Sequence, residues 1–208
     1  EHWQMRFESI YDKKDNKIHA GQAVGGLIKI GNTRKRGTLV RFLPDETVFE
    51  DTQFNAEIVS RRLRELTYLN KATHIYFTDE RTSGEEKIAE DFYYEGGIVD
   101  YVTYLNADKK VLHDNPIMIS GSKDDTICEV AMQYTDAYTE SVFSYVNSIP
   151  TGEGGTHETG FRAGMTKVLN DYARRIGALK EKDNNLSGED FREGLTAILT
   201  VKVKNPQF

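Results

Sequence analysis

The sequence of 208 residues predicts an α+β fold, and three observations carry that expectation. The first segment is β-rich: Trp3–Ile10 sets Trp3, Met5 and Phe7 against Gln4, Arg6 and Glu8, the period-two alternation of a strand. Further on, three strand-like runs follow one another between Ile117 and Ile149 across short polar turns. A long amphipathic helix then runs from about Thr156 to Arg175, with Phe161, Met165, Val168, Leu169, Tyr172 and Ile176 at helical spacing.

Taken in order, Lys13-Lys14-Asp15-Asn16-Lys17 is a polar turn that joins the first strand to Ile18–Val24 as a hairpin, ended by Gly25-Gly26. Thr38–Leu43 reads as a strand, entered through Gly37 and stopped before Pro44. Asn55 is expected to cap a helix whose apolar face is Ile58, Val59, Leu63, Leu66 and Leu69, with Arg61, Arg62 and Arg64 on the other side. His74–Thr78 and Ala89–Tyr94 read as strands across the turn Ser83-Gly84-Glu85, and Gly96-Gly97 precede a short helix, Ile98–Asn106. Ile117–Ser120, Ile127–Thr135 and Thr139–Ile149 are expected as an antiparallel meander, turning at Lys123-Asp124-Asp125 and Thr135-Asp136-Ala137. Gly177 stops the long helix. Ser187 with Asp190 opens a short one, and Leu195–Val203 is a last strand rich in β-branched residues. One domain boundary is expected between Asn70 and Glu95.

Composition narrows the function classes. Hydrophobic residues at 38% and charged residues at 29% suit a soluble globular chain. The net charge of -6 argues against a generally basic, DNA-coating surface while leaving room for a local basic patch. A single cysteine, Cys128, forms no intrachain disulfide and no metal cluster, which fits a reducing cytoplasm, and it is expected to be buried in a strand. No run is long and apolar enough to span a bilayer, so no membrane partner is expected. The chain opens on Glu1 with a strand pattern close behind, as expected of a piece of a longer chain.

Several short blocks occur together. Gly154-Gly155-Thr156-His157 and Gly160-Phe161-Arg162 lie where the last strand of the meander passes into the long helix. Leu63-Arg64-Glu65-Leu66 with Leu69-Asn70, Glu95-Gly96-Gly97-Ile98 with Tyr104-Leu105-Asn106, Arg192-Glu193-Gly194-Leu195, and Pro206-Gln207-Phe208 complete the set, with Arg36-Gly37-Thr38 and Val40-Arg41-Phe42 upstream. In this order the chain resembles the gyrase B family of DNA topoisomerases and its topoisomerase IV homologue over nearly its whole length. The Leu63–Asn70 and Tyr172–Arg192 segments lean toward gyrase B.

The resemblance implies that residues 1–72 are the β-rich end of a GHKL-type ATPase domain. It implies that residues 73–208 are a transducer domain, lacking its C-terminal end, of ribosomal-protein-like fold with a left-handed βαβ crossover. It implies an ATP-hydrolysing type II topoisomerase, with ATP and Mg2+ in the full-length protein, DNA and the gyrase A protein as partners, and homodimerisation of the ATPase region. The family's catalytic carboxylate, magnesium-holding asparagine and glycine-rich lid have no match here. The resemblance therefore gives no catalytic and no metal residue, and no cofactor tightly bound to this chain. Gly37 and Thr38 carry over as nucleotide contacts, the Thr38 hydroxyl helping to position adenine because it both donates and accepts. Arg162 carries over as a residue lining a cavity through which DNA passes, where a guanidinium suits sequence-blind phosphate contact. The alternatives are a piece of the topoisomerase IV homologue, acting in decatenation, and a free-standing DNA- or protein-binding module acting through the basic helix face.

Each candidate has a plainer reading. Arg162, Lys167, Arg174 and Arg175 form a common solvated cationic face. Gly154–His157 is read as an ordinary strand-to-helix turn, because no Lys follows in P-loop spacing. His157 has no nucleophile beside it in any motif, His74 and His113 are isolated, and Asp124-Asp125 lacks the EF-hand spacing. Tyr93, Tyr94, Tyr101 and Tyr104 are read as packing residues rather than a base-stacking platform.

Overall fold

The computed structural model describes residues 1–42, 44–81 and 88–208 and divides into two compact units, Glu1–Phe54 and Asn55–Phe208. In the first unit β2 (Phe7–Asp12) and β3 (Lys17–Ala23) form the expected hairpin around Asn16, which takes a left-handed φ of 58°. β1 (His2–Gln4) pairs antiparallel with β4 (Ile28–Gly31), a strand that sequence patterning does not separate. Residues 38–42 form no strand, contrary to expectation, and Leu43 lies outside the described residues. A strand needs a neighbour for its N–H and C=O groups, and this segment pairs with none of the described strands; Leu39 and Val40 are largely exposed. No described residue of this unit is buried, so its apolar side chains do not close a core of their own.

The second unit is built on a five-stranded sheet. α1 (Ala56–Leu69) starts at Asn55, whose Oδ1 accepts from the amides of Glu57 and Ile58, the expected cap. β5 (Ile75–Thr78) and β6 (Ala89–Phe92) pair antiparallel, and the turn expected at Ser83-Gly84-Glu85 lies outside the described residues. α2 (Ile98–Leu105) follows Gly97. β7 (Ile117–Lys123), β8 (Thr126–Tyr134), β9 (Ser141–Val146), the short β10 (Ile149–Pro150) and β11 (Leu195–Lys202) form the main sheet in the order β10-β9-β11-β8-β7. α3 (Thr156–Arg175) and α4 (Gly188–Arg192) lie in the connection from β10 to β11.

That order corrects the antiparallel meander. β7 and β8 are neighbours, but β9 is not beside β8. β11 separates them, antiparallel to β8 and parallel to β9. The reason is burial: Leu195–Val201 are all buried, more than in any other described strand, and an apolar strand covered on both faces belongs at the centre. Its side chains alternate between two clusters. Ile198 and Ala131 pack with Tyr68, Leu69, Ile98, Tyr101, Val102 and Tyr145, under α1 and α2. Leu199, Val201 and Val130 pack with the half-buried Phe161 of α3 and with Cys128, which is half-buried rather than buried.

The compact units therefore part at 54/55, ahead of the 72/73 boundary suggested by sequence, because α1 packs on α2, β5 and β6. Two amphipathic faces also differ from expectation. On α1, Ile58 is exposed and Thr67, Tyr68 and Leu69 are buried, Tyr68 stacking on Tyr94 and Tyr101. On α3, Phe161, Met165 and Leu169 are half-buried, but Val168, Tyr172 and Ile176 are exposed, so the stripe is covered on one edge only.

Two substitutions test this core. Gly194 has φ +71° and a Cβ there would meet the Thr135 and Ala137 carbonyl oxygens at 2.4 and 2.7 Å. Gly194→Ala is expected to cost about 2 kcal/mol or more, since the clash is with backbone and the φ disfavours any side chain. Phe161→Ala should cost ~2 kcal/mol, less than the ~3–5 kcal/mol of a fully buried Phe. Urea unfolding followed by tyrosine near-UV circular dichroism checks both, and unchanged midpoints would remove both residues from the core.

Candidate nucleic-acid interface

α3 begins without a side-chain cap: Gly155 is its N-cap, at φ 158°. The start is instead fastened to β9. The Ser144 and Thr151 hydroxyls lie 2.7 Å apart, Thr151 Oγ1 is 3.0 Å from His157 Nε2, and Ser144 Oγ donates to Glu158 Oε2 at 3.0 Å. His157 is thus a fastening residue at the helix start.

One turn further on stands Arg162. Its Nε and Nη2 donate to Glu158 Oε1 at 3.1 and 2.9 Å, an i,i+4 pair. Its Nη1 pairs with Glu140 Oε1, just before β9. Glu140 Oε2 in turn accepts from Arg192 Nε of α4 at 2.9 Å. The structure thus differs from a freely solvated cationic face at this residue: the Arg162 side chain is only 33% exposed and lies between two carboxylates. Arg174 is also engaged, donating to the carbonyls of Lys180 and Asp183 and to Asn185 Oδ1, and Arg175 sits 5.0 Å from the Tyr172 ring centre.

Arg162, Lys167 and Arg192 border an open groove of about 620 Å³ between α3 and α4. The buried Asn170 fixes one wall, donating from Nδ2 to Thr166 O and Leu186 O and accepting from the Leu186 amide at Oδ1. α4 is held by the expected capping box of Ser187 and Asp190. The Glu158–Arg162 pair is readable from spacing alone. The Glu140 bridge is not, because its partners lie far apart in sequence.

The other candidates lie elsewhere. Gly37 and Thr38 are exposed in a loop of the first unit, Gly37 at φ 153°. Among the described residues, Asp12, Asp15 and His19 bring three ligand-type atoms within 4.8 Å of one another, all exposed. Asp12 and Asp15 accept from the Lys14 and Lys17 amides and Asp15 pairs with His19, which is ordinary hairpin chemistry. His74 pairs with Asp91, and His113 accepts from the Tyr134 amide, so neither is isolated. Among the described residues no helix is long and apolar enough to cross a membrane.

This mixed α/β architecture is that of the ATP-binding regions of gyrase and topoisomerase IV. The 43K ATPase domain of Thermus thermophilus gyrase B, solved with an aminocoumarin, matches with a TM-score of 0.73 at 31% identity, over 90% of this chain and 51% of that one. The topoisomerase IV ATP-binding domain of Francisella tularensis shares the fold at a TM-score of 0.67 and 22% identity, over 99% and 54%. The DNA gyrase B family profile matches residues 97–208. The DNA gyrase B protein of Clostridium acetobutylicum is 48% identical over 91% of this chain and 29% of its own length. That of Streptococcus pneumoniae is 47% identical over 96% and 31%. The chain belongs to the DNA gyrase B family, and it spans about a third of the length of these relatives.

Burial pushes the Glu158 carboxyl up, but hydrogen bonds from Arg162 and Ser144 and the Arg162 charge outweigh it and leave the pKa below the ordinary glutamate value. A depressed carboxyl contributes stability above its unfolded pKa and loses it as pH falls through the folded one. Urea midpoints measured from about pH 6 to pH 3 should therefore fall less steeply in Glu158→Gln than in the wild type. Parallel curves would mean that the pair is not formed.

Proposed function

We propose that this chain is a segment of the ATPase component of DNA gyrase that couples ATP binding and hydrolysis to DNA strand passage and negative supercoiling. The observation that supports it most is the 48% identity to a gyrase B protein over 91% of the chain. In this reading residues 1–72 complete a GHKL ATPase domain and residues 73–208 are the transducer, whose β9–α3–α4–β11 connection is the left-handed crossover. ATP and Mg2+ act in the full-length cytoplasmic protein, which dimerises and works with gyrase A on DNA. Gly37 and Thr38 face the nucleotide. Arg162 faces the transported DNA. A sheet with helices packed on it suits the coupling role, because it moves as a rigid body and carries a small change at the nucleotide to a distant surface.

Two measurements test the reading. The chain alone should release no phosphate from ATP and Mg2+ above a vector control, because the residues that position water and metal in phosphoryl transfer have no counterpart in it. In the full-length protein reconstituted with gyrase A, Arg162→Gln should lower the ratio of DNA-stimulated to basal ATP hydrolysis, and supercoiling with it. An unchanged ratio would return Arg162 to a purely structural role.

A further inference from the structure

Arg162 is the residue proposed to meet DNA, yet it is not available as it stands. Two of its nitrogens are held by Glu158 and a third by Glu140. Arg162 and Arg192 together carry two positive charges, and Glu140 and Glu158 cancel both. A phosphate approaching Arg162 would meet two carboxylates at contact distance, so attraction to the guanidinium is offset by repulsion.

The two carboxylates are not equivalent. Glu158 is a helical i,i+4 partner that moves with Arg162 on the same turn of α3. Glu140 enters from another element and ties α3 to α4. Its two oxygens are also unlike. Oε2 accepts a hydrogen bond from Arg192 Nε at 2.9 Å. Oε1 is buried and faces the Arg162 guanidinium. Release of Arg162 would leave Glu140 paired with Arg192.

We infer that Glu140 is a counter-ion latch: a positioning residue that keeps Arg162 folded against α4 and withholds it from DNA phosphates until Arg162 is pulled away. This rests on the reading of Arg162 as a DNA contact. It makes the groove a weak polyanion site at rest, and Arg192 the residue that anchors the latch. It also assigns the acidic residue, rather than the arginine, control over how strongly DNA is gripped.

The test uses the full chain and a fluorescent DNA duplex of about 30 base pairs, with anisotropy titrations over a range of salt. Glu140→Gln should tighten binding several-fold and steepen the slope of log K against log salt by ~0.9 for each phosphate newly engaged. Glu140→Asp, which keeps the charge, should behave as the wild type. The gain should vanish when Arg162→Gln is added. A gain that survives in the double variant would overturn the latch, since it would come from net charge or Arg192. If Arg162→Gln alone weakens binding while Glu140→Gln changes nothing, Arg162 is already free and the latch falls while the DNA reading stands. If neither change moves the titration, both fall. If Glu140→Gln does not fold, the wild type decides through the nitrogen-15 resonance of the Arg162 Nη1 group, the one that faces Glu140. It should be protected from exchange without DNA and lose that protection on duplex addition, and protection unchanged at saturation would overturn the proposal.

Discussion

The second unit depends on one constraint: β11 must be covered on both faces and paired on both edges at once. Seven consecutive residues, Leu195–Val201, are buried, and among them only Thr196 and Thr200 have a polar side chain. Covering such a strand needs α1 and α2 on one side and α3 on the other, with β8 and β9 alongside. Thr196 is accommodated by its own hydrogen bond to Asn106 Oδ1, and Asn106 in turn donates to Gln133, so the polar groups beneath α2 are satisfied among themselves. The placement of α3, and with it Arg162, follows from where β11 lies.

Local signals are legible in the sequence wherever the physics is local. The Asn55 cap, the Ser187–Asp190 capping box, the stop at Gly177 and the hairpin at Asn16 each depend on a few neighbouring residues, and each stands where expected. The features that escape the sequence are set by distant partners. The alternation of β8 and β9 fits a meander as well as an inserted strand, because pairing partners are chosen by competition for the sheet centre. The stripe on α3 marks which residues are apolar but not how much of the helix the sheet reaches, so Val168, Tyr172 and Ile176 carry the helical spacing without the cover. The segment after Gly37 has strand-forming residues and, among the described strands, none beside it.

The candidate site divides the same way. Arg162 is found through resemblance, and Glu158 lies at helical spacing from it. Glu140 and Arg192 come together only because the start of β9 and the end of α4 approach one another in the fold. The cation is thus readable from the residues, whereas the anions that govern it emerge only from the fold. A basic residue on a helix is a common observation; one held between two glutamates, one of them shared with a second arginine, is a specific arrangement whose net charge is zero.

The central position of β11 also bears on how the chain is made. β9 leaves the ribosome well before the strand that is to sit beside it, and the connection between them, with two helices, intervenes. At ordinary translation speeds that wait is on the order of 3–11 s, long compared with the microseconds in which a hairpin such as β7–β8 closes. For that time the facing edges of β8 and β9 are both unpaired. The nascent chain thus passes through a stage with two open strand edges, and its safe completion depends on what keeps other chains away from them in the interval.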